Sequence, residues 1–179
     1  MDARMATLAA VSLACGVCWP GPGGDARAQP GVDIPQYERV EHRGILDYLH
    51  GIAGRPGAVG PAAQKVLDHL IPLVAKEDEI VLPPLVLLST LAGGEVTPDM
   101  RWAVVLADRV KAERDTLRRG HEELKKALVA LREAAAAVGD HHTVGFTKDL
   151  IADDLGSQEI TEPTTILIGE FLRSRLPAQ

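Results

Sequence analysis

The feature that most constrains this chain is an apolar stripe interrupted by one carboxylate. The stripe advances by three or four residues, as one face of a helix packed against other helices does, and it consists of Val66, Leu70, Leu73, Glu77 and Ile80. Every member except Glu77 is aliphatic. A carboxylate on a buried face must be paired, protonated or bound to a cation, since its desolvation alone is too costly. The sequence therefore predicts polar partners for Glu77 on neighbouring helices.

The composition favours helices and argues against a nucleic-acid partner. Of the 179 residues, 46% are hydrophobic but only 3% are aromatic, so the core must consist of Leu, Val, Ile and Ala. This length fits one domain, and the abundance of Ala, Leu, Glu, Lys and Arg favours an all-α fold. The net charge of −6 is accompanied by no basic patch with interleaved aromatics, so we expect no nucleic acid as a partner.

The first 28 residues are predicted to be a secretory signal peptide. An apolar run from Ala6 to Val17, too short for a permanent anchor, precedes a Pro/Gly-rich stretch and the cleavage pattern Ala26-Arg27-Ala28. We expect a periplasmic or secreted protein whose domain spans residues 29–179. Lipidation at Cys15 is the alternative to cleavage and the only membrane association that we expect. Both cysteines lie in this segment, so the domain has no disulfide or thiolate site.

Capping and helix-breaking residues divide the domain into four predicted helices. The predicted boundaries are Asp33 to Gly51, Gly60 to Gly93, Thr97 to Val138, and a fourth helix capped by Asp140. Pro83 and Pro84 each remove a backbone donor, so a break is expected near Leu82. Pro163 is expected to bend the fourth helix.

Each predicted helix has polar side chains in its apolar stripe. The stripe of the first helix runs from His42 through Ile45, Leu49 and Ile52. The third and fourth stripes are Val110, Leu117, His121, Leu124, Leu128, Leu131, and Phe146, Leu150, Asp153, Ser157, Ile160, Thr164, Leu167, Phe171. In an up-down-up-down four-helix bundle the polar positions can meet at one level of the core. Imidazole and carboxylate groups are the ligands of bundle metal sites, and a hydrogen-bonded layer without metal is the alternative.

Four segments resemble the hemerythrin-like, HHE cation-binding family. They are EHRGIL at Glu41–Leu46, LIPLVAKEDEIVLPPLVLL at Leu70–Leu88, GHEELKKAL at Gly120–Leu128 and EITEPTTILIGEFL at Glu159–Leu172. The resemblance implies a four-helix bundle. In that family the bundle holds a non-haem di-iron centre that binds oxygen or reacts with peroxide or nitric oxide. Its ligands are one His on each of the first and third helices and His-x-x-x-Glu on each of the second and fourth.

This chain matches the family's ligand pattern only in part. His42 and His121 stand at the ligand positions of the first and third helices, and Glu77 stands at the Glu position of the second. Leu73 replaces the His of the second helix. On the fourth helix, Asp153 stands at the position of the His and Ser157 stands at the position of the Glu. The resemblance thus implies a degraded di-iron site.

The function expected from these residues is the binding of at most one metal ion, iron or zinc, in the bundle core. The candidate ligands are His42, Glu77, His121 and Asp153. A small ligand such as oxygen is a further expected partner. The alternative is a structural or interaction bundle without metal. Retained peroxide or oxygen chemistry would need the two-metal centre, and no nucleophile–base pair indicates another enzyme, so no catalytic residue is assigned.

Overall fold

The computed structural model describes residues 33–177, and every regular element in that range is helical. The predicted signal peptide lies outside the described residues. The α-helices are α1 (Gln36–Ala53), α2 (Val59–Lys76), α3 (Leu88–Ala92), α4 (Arg101–Ala137), α5 (His141–Gly156) and α6 (Glu162–Arg175). The prediction of an all-α fold is confirmed. Within the described range, no helix combines the length and the apolarity needed to cross a bilayer.

The helices α1 and α5 differ at their beginnings, because a side chain caps only α5. The predicted cap Asp33 is wrong, because α1 begins at Gln36 and has no side-chain cap. The predicted cap Asp140 is confirmed, since its carboxylate accepts a hydrogen bond from the backbone N–H of Thr143 at 3.0 Å. This bond, the hydroxyl of Thr143 and the Arg55 guanidinium lower the pKa of Asp140 to about 2.

The predicted stripes of the second and third helices form the centre of the core. Each residue assigned to them is buried, from Val66 to Ile80 and from Val110 to Leu131. The long helix α4 packs against α2, α5 and α6. Burial of one Leu or Val side chain contributes roughly 1.5–3 kcal/mol, so these two stripes supply a large part of the driving force for folding.

The second predicted helix is interrupted after α2. The chain passes into a π-helical turn, Glu77–Val81, and then into a 3-10 turn, Pro83–Leu87. Two successive prolines without an N–H cannot continue an α-helical hydrogen-bond ladder. The predicted break near Leu82 is therefore confirmed. Glu77, Ile80 and Val81 are all buried in the π turn, which directs the carboxylate into the core.

The predicted stripe of the fourth helix is wrong beyond Leu150. A second π turn, Ser157–Thr161, separates α5 from α6, and its wider hydrogen-bond spacing shifts the register of the residues that follow. Ile160 and Leu167, which were expected in the core, are 68% and 67% exposed. The buried residues are instead Thr143, Thr147, Leu150 and Asp154 on α5, and Glu162, Thr165, Ile168, Gly169 and Leu172 on α6.

A glycine allows α6 to lie close to α4. A Cβ atom on Gly169 would stand 2.2 Å from the Cβ of Ala107, so any larger residue would push the two helices apart. Both residues are buried. Glu162, two turns before Gly169, is thereby held against α4 at the level of His121.

Candidate functional site

The polar residues of the core meet around His121, which is 1% exposed. Its Nδ1 lies 2.7 Å from Oδ1 of Asp154 on α5, and its Nε2 lies 3.0 Å from Oε1 of Glu162 on α6. Oε1 of Glu77, in the first π turn, is 3.9 Å from the same Nε2. We call His121, Asp154, Glu162 and Glu77 the core polar layer. Each member comes from a different helical element, so only the folded chain assembles it.

Two carboxylates keep His121 protonated although it is buried. Burial alone favours the neutral ring, but the hydrogen bonds to Asp154 and Glu162 outweigh it and raise the pKa of His121 to about 9. Near neutral pH the ring is therefore an imidazolium that donates one N–H to each carboxylate. Removal of one partner from such a buried pair is costly, because the remaining charge stays in a medium of low dielectric constant.

Glu77 is held in the core polar layer through only one of its two carboxylate oxygens. Burial raises the pKa of Glu77, against the opposing effects of the Ser157 hydrogen bond and the His121 charge. The Ser157 hydroxyl donates to Oε1. The other oxygen, Oε2, accepts no hydrogen bond from residues 33–177, and it is not among the fully buried atoms, because Glu77 lines the cavity described below. A proton or a cation would therefore stabilise this carboxylate.

The structure brings together only part of the predicted ligand set. Glu77 and His121 lie in one layer, as expected. Asp153 is exposed, and the carboxylate that faces His121 is that of Asp154, which corrects the sequence assignment. After Leu150, the third and fourth residues both fall near the same face of a helix. Spacing alone therefore could not choose between Asp153 and Asp154.

His42 makes a different contact from the one predicted. Its Nδ1 lies 3.2 Å from Oδ1 of Asp78, but these two buried atoms are not aligned for a hydrogen bond. Among the described residues it makes no hydrogen bond with His121 or Asp154. The side chain borders the same cavity as Glu77. His42 is thus near the core polar layer without being a member of it.

Glu162 is the member of the layer that sequence reasoning missed. It lies off the predicted stripe of the fourth helix, where the spacing of a continuous α-helix would place it at the side. The second π turn ends at Thr161 and α6 begins at Glu162, which brings its carboxylate to His121. The sequence contained one signal for the start of α6 at Glu162. Pro163 follows Glu162, and a proline is common in the first turn of a helix.

Both π turns begin at residues of this region. Glu77 opens the first turn, Ser157 opens the second, and the two side chains are hydrogen-bonded to each other. Single π turns within helices are rare and occur frequently at functional sites. The two interrupted helices therefore meet where the polar groups are concentrated, which marks this level of the core as the candidate site.

A cavity of about 290 Å³ leads from the surface between α1 and α5 to Glu77 and Asp154. Its inner wall is hydrocarbon, formed by Leu70, Leu73, Val74, Leu124 and Leu150. The volume lies near the lower end of the range for ligand sites. A small molecule can therefore reach the core polar layer, although His121 itself does not line the cavity.

The two-iron centre of the family that the sequence resembles does not fit these residues. The layer has one imidazole, Leu73 is buried at the second His position, and Ser157 offers only a hydroxyl in place of a bridging carboxylate. Within residues 33–177, no group of three or more His, Cys, Asp or Glu side chains is arranged to hold a metal ion as it stands. The donor types around His121 suit one cation, iron(II) or zinc, once the imidazolium proton is released.

Comparisons of the chain with protein-family models, with curated proteins and with solved structures find no match. Its function is therefore inferred from the geometry of its own residues.

Proposed function

We propose that the protein is an exported, up-down-up-down four-helix bundle similar to hemerythrin-like proteins, and that its core polar layer binds one iron or zinc ion. Antiparallel contacts support this topology. Tyr48, late in α1, is hydrogen-bonded to Thr143 at the start of α5, whereas Glu41, early in α1, lies near Asp153 towards the end of α5. If α2 and α5 are each counted with the elements that continue them, the chain offers the four helical segments that this topology requires.

The way in which His121 is held is the observation that supports metal binding. A histidine that binds a metal through one nitrogen usually donates the other N–H to a carboxylate. Asp154 accepts such a bond from Nδ1 at 2.7 Å, and Nε2 faces carboxylate oxygens of Glu162 and Glu77 at 3.0 and 3.9 Å. We assign Glu77, His121 and Glu162 as ligands and Asp154 as the residue that orients the ring. This set keeps Glu77 and His121 of the predicted ligands, omits His42 and Asp153, and adds Glu162.

The surrounding residues would prepare this site for one small ligand such as oxygen. A bound cation would supply Lewis acidity at the inner end of the cavity. Ser157 restrains the Glu77 carboxylate through its hydrogen bond, and the leucines of the cavity wall exclude bulk water. Because the pKa of His121 is about 9, metal binding near neutral pH must release a proton from the ring. Affinity should therefore rise with pH up to about 9.

Calorimetric titration of the metal-free protein with Zn²⁺, in two buffers of different ionisation enthalpy, tests the proposal. We expect one ion bound per chain and about one proton released per ion near neutral pH. His121→Gln should abolish binding. His50→Gln, which removes an exposed imidazole of α1, should leave the affinity unchanged. Two ions per chain, or the same loss in both variants, would contradict the assignment.

A bundle without metal is the second candidate, and the hydrogen bonding of His121 favours it. Both ring nitrogens already have carboxylate partners, so His121 is satisfied without a metal ion. In that case the layer specifies how the helices pack, and the protein acts as a structural or interaction module. The same titration separates the two candidates. A bundle without metal should show no saturable Zn²⁺ binding at either neutral or alkaline pH.

A further inference from the structure

We infer that the cavity beside Glu77 binds a small aliphatic amine, with the ammonium group at the Glu77 carboxylate and the alkyl chain against the leucine wall. This inference concerns the metal-free protein and does not rest on the proposed metal site. It follows from three features of the cavity: the sign of its charges, the free oxygen of Glu77 at its inner end, and its hydrocarbon surface.

The charged groups around the cavity are almost all acidic. Five carboxyl groups line it, from Glu38, Glu41, Glu77, Asp153 and Asp154, and among the described residues no Lys or Arg does. The imidazole of His42 is the one basic group in the lining, and its Nδ1 faces Asp78. A cleft lined by one sign of charge concentrates ligands of the opposite sign, so the cavity selects cations.

The acidic groups at the mouth outnumber their one basic neighbour, His42, which lowers the pKa of Glu38 less than burial and Glu41 raise it. Burial, followed by the charge of Glu41, raises the pKa of Glu38. Partial desolvation and the same neighbour raise the pKa of Asp153. Both shifts show that these groups hold their negative charge at a cost, which a cation in the cavity would reduce.

The inner end and the wall determine the kind of cation. Glu77 presents an oxygen without a hydrogen-bond partner among residues 33–177, so it can accept from an N–H donor. Beside it, Leu73 and Leu150 offer only hydrocarbon. A hydrated inorganic ion would leave that surface unused, and a neutral alkyl ligand would leave Glu77 unpaired. An alkylammonium ion pairs with the Glu77 oxygen and also covers the hydrocarbon wall. The cavity volume of about 290 Å³ restricts the ligand to a small amine.

Calorimetric or NMR titration of metal-free protein with n-butylamine, 1-butanol and butyrate tests this inference. Butylammonium is expected to bind with a Kd on the order of 1 mM or tighter. 1-Butanol, which has the same length without the charge, should bind at least about tenfold more weakly, and butyrate should not bind. Equal affinity for the amine and the alcohol, or no saturable binding of the amine, would overturn the inference.

Three variants locate the site and separate it from the proposed metal site. Glu77→Gln should weaken amine binding at least about tenfold. Ala152→Phe fills the mouth from an exposed position, and it should abolish amine binding while leaving Zn²⁺ affinity unchanged. Glu122→Gln removes a carboxylate from an exposed face outside the cavity and should change neither. Amine binding that survives both cavity variants would overturn the assignment, whatever the result for Zn²⁺.

Discussion

His121 and His42 interrupt apolar stripes in the same way in the sequence, yet the folded chain gives them unlike surroundings. His121 is 1% exposed, and each ring nitrogen has a carboxylate partner at hydrogen-bond distance. His42 has a side chain that is 15% exposed and one misaligned contact, with Asp78. The position of a histidine in an apolar stripe thus does not fix its energetic role, which depends on how many partners other helices bring to it.

The largest difference between the two histidines should appear when each is replaced by leucine. His121→Leu leaves the carboxylates of Asp154 and Glu162 buried without their partner, and we expect it to reduce the free energy of unfolding by about 3–5 kcal/mol. His42→Leu should cost at most about 1 kcal/mol, because its Nδ1 makes no aligned hydrogen bond with Asp78 that the change would remove. Urea unfolding monitored by circular dichroism measures both. Equal losses would show that the two sites are energetically alike.

The pH dependence of stability should come mainly from His121. Its pKa is about 9 in the folded chain, above the unfolded value, so the stabilisation is fully present below about pH 6.5 and is lost as pH rises through 9. The expected loss is about 3 kcal/mol, since one pKa unit corresponds to roughly 1.4 kcal/mol. Urea unfolding of the wild type and of His121→Gln between about pH 6 and pH 10 checks this, because the variant should lack that component. Parallel profiles would show that His121 is not protonated in the folded state.

The smallest effect is expected at the carboxylate beside His42. Asp78→Asn should change the free energy of unfolding by no more than about 0.5 kcal/mol, because the side chain is 40% exposed and makes no aligned hydrogen bond. Asp154→Asn, the matched change beside His121, should cost about 1–3 kcal/mol, since it weakens a buried bond to a charged ring. Denaturation of both variants in one buffer gives the contrast. A larger loss for Asp78→Asn would reverse the ranking of the two sites.

The sequence by itself determined the class of fold and two of the core stripes. Aliphatic residues at helical spacing are a local pattern, and the burial of hydrocarbon makes that pattern reliable. The same pattern identified Glu77 and His121 as buried, because each stands between aliphatic members of a stripe. The break near Leu82 was also predictable, since a proline lacks a backbone donor wherever it occurs.

Only the tertiary structure decided which carboxylates face His121. Positions three and four residues apart are nearly equivalent on a helix, so Asp153 and Asp154 could not be distinguished until α5 was packed against α4. Glu162 reaches the ring through a π turn. Pro163 indicates that a helix begins near Glu162, but no local propensity in the sequence indicates the π turn before it. Such a turn disrupts the regular helical ladder, and it persists where contacts between helices compensate. The hydrogen bond from Ser157 to Glu77, which joins residues distant in the chain, is one of these contacts.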